Sequence, residues 1–256
     1  MSLIIDQDGP VSTMTINRPQ ARNAVNPETA LALRAAFKAF DRDDSQSVAI
    51  LTGSDGAFCA GYDLKVAAQG GNRTEWKAGD EGPMGPTRML LSKPVIAAVE
   101  GHAVAGGLEL ALWCDLRVAS ATAVFGVYCR RWGVPLIDGG TVRLPRLIGH
   151  SRALDMILTG RGVEAVEAHE IGLANRLVPA GQALAAAQEL AREIARFPQS
   201  CMQVDRRSSY LQWSMDIPNA LVNEGRGRQD LDDEEIKAGA ARFAAGKGRG
   251  GDFGSI

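Results

Sequence analysis

Short apolar runs alternate with amphipathic segments along most of the chain. The runs VSTMTI at 11–16 and SVAILT at 47–52 are rich in β-branched residues and predict buried strands. Between them, Asn26 is a favourable helix N-cap, and Leu33 and Phe37 fall on one face of the helix that would follow. The order strand, helix, strand predicts a crossover unit of an α/β protein.

A second cycle of strands and helices follows the stretch 69–86, whose glycines and prolines predict a loop. PVIAAV at 94–99 predicts another buried strand, and residues 106–114 have helical composition. Further elements are expected as short strands at 116–119 and 124–125, a helix after Gly140, and a helix capped by Ser151.

From about residue 180 the pattern is helical, with no strand signal between the segments. The expected helices lie at 180–196, 200–213 and 217–231, with a fourth that begins at Asp232 and has Glu235 as the partner in a capping-box-like pair. This change of character predicts two domains, an α/β core at 1–195 and a helical region at 196–256.

Composition narrows the class of protein. The 256 residues are 45% hydrophobic and 23% charged, which excludes a disordered chain. The formal net charge is −2, whereas a nucleic-acid-binding protein normally carries a basic face or domain. We therefore expect no nucleic-acid partner.

Cysteine and histidine spacing argues against a metal site. The four cysteines form no CxxC pair, and the three histidines are scattered. The N-terminal residues are too acidic for a signal peptide, and no apolar stretch is long enough to span a membrane. These features predict a cytoplasmic protein without a bound metal or a membrane partner.

Two glycine-containing segments carry the candidate chemistry. AFCAGYDL at 57–64 ends a buried strand in a turn, and GHAVAGGLEL at 101–110 leads from a strand into a helix that Gly106 opens. Backbone N–H groups at a helix start are unpaired donors with partial positive charge. Two such donors from separate turns, aimed at one oxygen, would form an oxyanion hole.

This pair of segments resembles the crotonase, or enoyl-CoA hydratase/isomerase, superfamily. Other landmarks of that family occur in the same order along nearly the whole chain. They include Asn17-Arg18-Pro19 with Asn23-Ala24-Val25, Lys93-Pro94-Val95-Ile96-Ala97, and Gly139-Gly140-Thr141.

The resemblance implies a fold, a ligand and an assembly. The expected fold is an α/β spiral of ββα units with C-terminal helices that form trimers, commonly paired into hexamers. The expected substrate is an acyl-CoA thioester, so coenzyme A belongs to the substrate and no separate cofactor is expected. The oxyanion donors implied for this chain are the N–H groups of Ala60 and Gly106. The substrate contacts carried over are Ala24, Ala60, Gly61, Tyr62, Asp63, Leu64, Gly106 and Cys129.

The carboxylates that would move protons match the family only in part. Glu109 matches the first of two glutamates that hydratases use as acid and base. The position of the second glutamate falls on Cys129, which is more often small core filler than a nucleophile. Asp138 is the nearest replacement acid in the same loop, and it could equally be a turn or cap residue.

Three functions are compatible with these residues. The first is an enoyl-CoA hydratase, which adds water across the 2,3 double bond with Glu109 and Asp138 as its carboxylates. The second is a 3,2-enoyl-CoA isomerase or another one-base reaction, which tolerates the loss at Cys129. The third is a non-catalytic acyl-CoA-binding protein with a degraded site.

Overall fold

A computed structural model describes residues 1–70, 77, 79, 81–231, 233–248 and 250. The chain forms two compact units, Met1–Ala191 and Arg192–Ile256. The division lies four residues before the predicted boundary after residue 195. The predicted loop at 69–86 contains neither helix nor strand in its described residues. Residues 71–76, 78 and 80 of this loop lie outside the described residues, as does the predicted cap Asp232.

The strands of the first unit belong to two sheets. They are β1 (Leu3–Asp8), β2 (Val11–Ile16), β3 (Val48–Gly53), β4 (Val95–Val99), β5 (His102–Val104), β6 (Leu116–Ser120), β7 (Val124–Gly126), β8 (Gly162–Glu164) and β9 (Arg176–Val178). One sheet has the order β1-β2-β3-β4-β6-β9, and the other has the order β5-β7-β8.

The α-helices follow these strands and then fill the second unit. They are α1 (Pro27–Arg42), α2 (Leu64–Ala68), α3 (Gly106–Trp113), α4 (Gly140–Ile148), α5 (His150–Thr159), α6 (Ala165–Glu170), α7 (Ala183–Ala195), α8 (Gln199–Leu211), α9 (Ile217–Gly227) and α10 (Asp233–Ala244). None of the helices in the described part of the chain is long and apolar enough to cross a membrane.

From β4 to β7, consecutive strands alternate between the two sheets, and a helix follows each pair of strands. β4 joins the larger sheet, β5 joins the smaller one, and α3 follows; β6, β7 and α4 repeat the order. This arrangement confirms the predicted α/β spiral of ββα units. The same order brings the ends of β5 and β7, and the helix starts that follow them, to one region of the unit.

The strands that the sequence did not predict are short or exposed. In β1 only Leu3 is buried, so the strand exists through its antiparallel pairing with β2 rather than through an apolar pattern. β5, β8 and β9 have three residues each, too few to show a period. The predicted cap Ser151 is also wrong, because α5 begins one residue earlier, at His150.

α3 is the helix that carries Glu109 into the core. Every residue of this helix is buried, and Phe37 of α1 packs edge-on against Trp113 with ring centroids 4.8 Å apart. A carboxylate on such a helix is removed from water unless a cavity reaches it. The fold therefore places Glu109 where burial strongly changes its proton affinity.

Candidate active site

The two glycine-containing segments meet where α3 begins. A Cβ built on Gly61 would lie 2.9 Å from the Gly106 nitrogen, and one built on Gly107 would overlap the Cys59 carbonyl oxygen. Two backbone turns can approach this closely only where neither carries a side chain between them. The structure thus brings together the two segments that the sequence singled out.

The residue before α3 has an unusual backbone conformation. Ala105 has φ 53° and ψ −124°, a combination that glycine adopts far more readily than alanine. This conformation turns the chain sharply from β5 into α3. Within the described residues, the Gly106 N–H has no hydrogen-bond acceptor, as expected of the first N–H of a helix.

The structure corrects the predicted role of Ala60 as an oxyanion donor. Its N–H already donates to the Arg22 carbonyl oxygen, with a nitrogen–oxygen distance of 3.0 Å. Val25 pairs with the Gly61 carbonyl and with the Asp63 N–H, at 2.8 and 2.9 Å. Tyr62 forms a parallel bridge with Val25, and in such a bridge the N–H of the central residue points away from the partner strand.

The Glu109 carboxylate is hydrogen-bonded by backbone N–H groups from the loop before α4 and from the start of α4. Its Oε1 accepts the N–H groups of Asp138 and Gly140, both at 2.8 Å. Only 3% of the residue is exposed. Burial, and then the charge of Asp138, raise the pKa of Glu109 to about 7, against the pull of the two N–H groups and of Arg143. A carboxyl with this pKa can both release and take up a proton near neutral pH.

Asp138 is buried beside Glu109. Its Oδ1 accepts the Met84 N–H at 3.1 Å and the Thr87 hydroxyl. Burial raises the pKa of Asp138, while Thr87, Met84 and two arginines oppose the rise. Asp138 therefore joins the site to the loop that contains Met84. It does not cap α4, whose N-cap is Gly139, and its role as an acid stays a prediction.

Cys129, the residue on which the resemblance places the second glutamate, is a buried thiol. Burial first, and then the nearby Glu109 charge, raise the pKa of Cys129. The thiol is thus neutral near pH 7 and is a poor substitute for a carboxylate base. Cys129 remains a predicted contact with the substrate rather than a proton carrier.

The remaining predicted contacts lie around the first turn. Ala24 is buried, and Leu64 is exposed at the start of α2. Asp63 holds the local structure, because its carboxylate caps α2 and pairs with Arg18 at 3.0 Å. Their contact with a ligand stays a prediction.

Three residues near the carboxylates have no role predicted from the sequence. Met84 packs against Gly106, Leu136 packs against Gly140, and Arg143 lies across Gly139. Met84 is in a loop without motif support, and Arg143 belongs to the GGT-containing segment without a predicted role. Among the described residues, no group of three or more His, Cys, Asp and Glu side chains is placed to hold a metal ion.

Comparisons with known proteins agree on one family. The sequence model of the enoyl-CoA hydratase/isomerase family matches residues 6–246. Enoyl-CoA hydratase EchA19 of Mycobacterium tuberculosis is 42% identical over 196 residues, which are 75% of this chain and 74% of that protein. A probable enoyl-CoA hydratase of Rhizobium meliloti is 38% identical over 95% of both chains.

A solved structure is similar over the same length. The crystal structure of enoyl-CoA hydratase EchA1 from Mycobacterium marinum superposes with a TM-score of 0.89 at 36% identity. The match covers 96% of this chain and 96% of that chain. The similarity therefore includes both the spiral core and the C-terminal helices.

Proposed function

The chain belongs to the enoyl-CoA hydratase/isomerase family, and on that premise we propose that it adds water to the 2,3 double bond of a 2-enoyl-CoA thioester. Membership confirms the resemblance that the sequence motifs indicated. The observation that carries the proposal is the buried carboxylate of Glu109, which lies in the first turn of the helix that Gly106 begins, is held by two backbone N–H groups and is next to a second acid, Asp138.

Two backbone N–H groups would stabilise the negative charge that forms during the reaction. We assign them to Gly106 and Tyr62, which replaces Ala60 in this role. They would hold the thioester carbonyl oxygen as it becomes an enolate. Loss of one such donor typically costs about 3 kcal/mol of transition-state stabilisation.

Glu109 would carry the proton between water and the substrate. Because Oε1 is held by two N–H groups, the second oxygen, Oε2, is left to face the reacting atoms. In hydration, a carboxylate takes a proton from water as the oxygen bonds to C3, and a carboxylic acid gives a proton to C2. Asp138 is the second carboxyl group of this cycle. After the two transfers the two groups have exchanged protonation states, and one proton passed from the new acid to the new carboxylate restores both.

The neutral thiol of Cys129 favours a second candidate, the 3,2-enoyl-CoA isomerase. Isomerisation needs one base that removes a proton from C2 and returns it to C4. Glu109 alone could perform both transfers. This reaction would leave Asp138 with a purely structural role in holding Met84 and Thr87.

Replacement of Asp138 by asparagine separates the two reactions. For a hydratase, the variant should convert trans-2-enoyl-CoA to a product heavier by one water at a rate at least about tenfold below wild type, since one proton carrier is lost. Mass spectrometry of the product measures this rate. Asp6→Asn, on the exposed edge strand β1, is the control.

The proposal fails under two outcomes of the same assay. Mass-neutral conversion of cis-3-enoyl-CoA that survives in Asp138→Asn would identify the one-base isomerase. Binding of both substrates by wild type with no turnover of either would identify a non-catalytic acyl-CoA-binding protein.

We further propose that the chain assembles into trimers, or hexamers of two trimers, through its C-terminal unit. Large apolar side chains stand exposed there, and we call Trp213, Ile217 and Leu221 the C-terminal apolar patch. Exposed patches of this kind are typical of protein–protein contacts. Ile217 and Leu221 lie one helical turn apart on α9, so one face can pack against another chain.

The double variant Ile217→Asp with Leu221→Asp is expected to reduce the assembly to single chains of about 27 kDa. Two buried charges without partners would oppose association. Light scattering after size-exclusion chromatography measures the mass, and Glu224→Gln on the same helix is the control. A wild-type protein that runs as a single chain would contradict the proposal.

We place the enzyme in the cytoplasm, with coenzyme A as part of its substrate and no separate cofactor. All four cysteines are free thiols, and three of them are buried. Reduced cysteines are typical of proteins in the cytoplasm.

A further inference from the structure

One side chain joins the two loops that surround the carboxylates. Arg143, on α4, donates from Nη2 to the Thr87 carbonyl oxygen at 2.7 Å and from Nη1 to the Asp138 carbonyl oxygen at 3.0 Å. A guanidinium is planar and carries several donors in a fixed arrangement. It can therefore set the distance between two backbone segments, which a single donor could not do.

Gly139 allows this contact. Its φ is +99°, and a Cβ at this position would overlap the Arg143 guanidinium. The same left-handed conformation turns the N–H groups on either side of Gly139, those of Asp138 and Gly140, toward one point. Successive N–H groups in such a turn form an anion-binding concavity, and here the anion is Glu109 Oε1.

We propose that Arg143 is a positioning residue for Glu109: by tying the Asp138–Gly140 turn to the Thr87 loop, it holds the two N–H groups that orient the Glu109 carboxylate. Arg143 does not touch the reacting atoms in this role. The inference rests on the proposed function of Glu109, and it assigns the orientation of that carboxylate to a residue on a different helix.

The charged groups around Glu109 set the direction of the expected change. Asp138 raises the pKa of Glu109, and Arg143 lowers it. Arg88, whose Nη2 donates to the Ile137 carbonyl, lowers the pKa of Asp138, and the Cys129 thiol faces Glu109 from the short helix Tyr128–Trp132. Loss of Arg143 removes a positive charge and weakens the hydrogen bonds from the Asp138 and Gly140 N–H groups to Glu109. Both changes favour protonated Glu109.

The test uses Arg143→Gln with Arg146→Gln as a matched control on an exposed position of the same helix. Glu109 is titrated by infrared spectroscopy of its carboxyl, as the difference from Glu109→Gln in each background and without substrate. The midpoint is expected to rise by about one pH unit in Arg143→Gln and to stay unchanged in Arg146→Gln. In turnover assays, kcat should fall about tenfold while KM changes less.

Arg143→Lys covers the case in which the glutamine variant does not fold. Lysine keeps the charge but cannot span both carbonyls, so the midpoint should rise by less than in Arg143→Gln while kcat falls at least about fivefold. A wild-type midpoint in Arg143→Gln, or a wild-type kcat in Arg143→Lys, would overturn the proposal. Since the infrared titration needs no substrate, an enzyme that fails to hydrate enoyl-CoA still gives a decisive midpoint.

Discussion

Replacement of Glu109 by glutamine is expected to lower turnover of 2-enoyl-CoA about a thousandfold. The amide oxygen can still accept the N–H groups of Asp138 and Gly140, at the places where Oε1 accepts them at 2.8 Å. The group can no longer take up or release a proton near neutral pH. The geometry of the site is thus retained while its proton carrier is lost, and kcat measured at saturating substrate reports the loss directly.

The same substitution is expected to stabilise the protein at alkaline pH. The pKa of Glu109 is raised from 4.5 to about 7 in the folded state, so between these values the folded chain binds more protons than the unfolded chain. The free energy of unfolding therefore falls as pH rises through this window, by up to about 3 kcal/mol. Glutamine does not ionise, so the variant escapes this loss.

Chemical unfolding at pH 5 and pH 8 measures this difference. Glu109→Gln should have a clearly higher free energy of unfolding than wild type at pH 8, and the gap should narrow as pH falls toward 4.5. Glu28→Gln is the matched control, because Glu28 also lies in the first turn of a helix but is exposed. Equal stability differences at both pH values would show that Glu109 is not held in a raised-pKa environment.

Replacement of Gly61 by alanine is expected to reduce kcat/KM between about a hundredfold and a thousandfold. The new Cβ would lie 2.9 Å from the Gly106 nitrogen and 3.0 Å from the Ala105 Cβ. Both contacts are too short, so the turn that carries Tyr62 has to move away from α3. This shift would separate the N–H groups of Gly106 and Tyr62, which we propose as the oxyanion donors.

Gly56→Ala separates this effect from ordinary backbone strain. Gly56 also has a positive φ, +71°, but a Cβ there would meet nothing within 4 Å. Both variants should lose about 1 kcal/mol or more of stability from the unfavourable φ, whereas only Gly61→Ala should lose activity. Steady-state kinetics and thermal unfolding of both proteins test the difference. Equal activities would exclude Gly61 as a part of the oxyanion site.

Long apolar runs and strong caps made much of the fold predictable. The strand at 11–16, the helix that Asn26 caps and the strand at 47–52 appear as β2, α1 and β3. Each has a local cause in its own residues. The strand β1 has none, since only its pairing with β2 holds an otherwise exposed segment in place.

The residues of the candidate site also differ in whether the sequence could identify them. Glu109 could be identified from the sequence through the resemblance of its GGLEL segment to the crotonase family, because a carboxylate in the first turn of a helix is by itself an ordinary feature. The choice between Ala60 and Tyr62 could not, because the direction of an N–H depends on its partner. Arg22 accepts the N–H of Ala60, and Val25 pairs with the groups that flank Tyr62, from a part of the chain some 35 residues away.

By itself, then, the sequence determined the α/β spiral, the acyl-CoA family and the carboxylate on α3. Only the tertiary structure decided that the Ala60 N–H is bonded to Arg22, that Asp138 lies beside Glu109, and that Arg143 joins the loops around them. The physical reason is that apolar periodicity and helix caps act between neighbours in the chain. Hydrogen-bond direction and proton affinity, in contrast, depend on groups that folding brings together from distant positions.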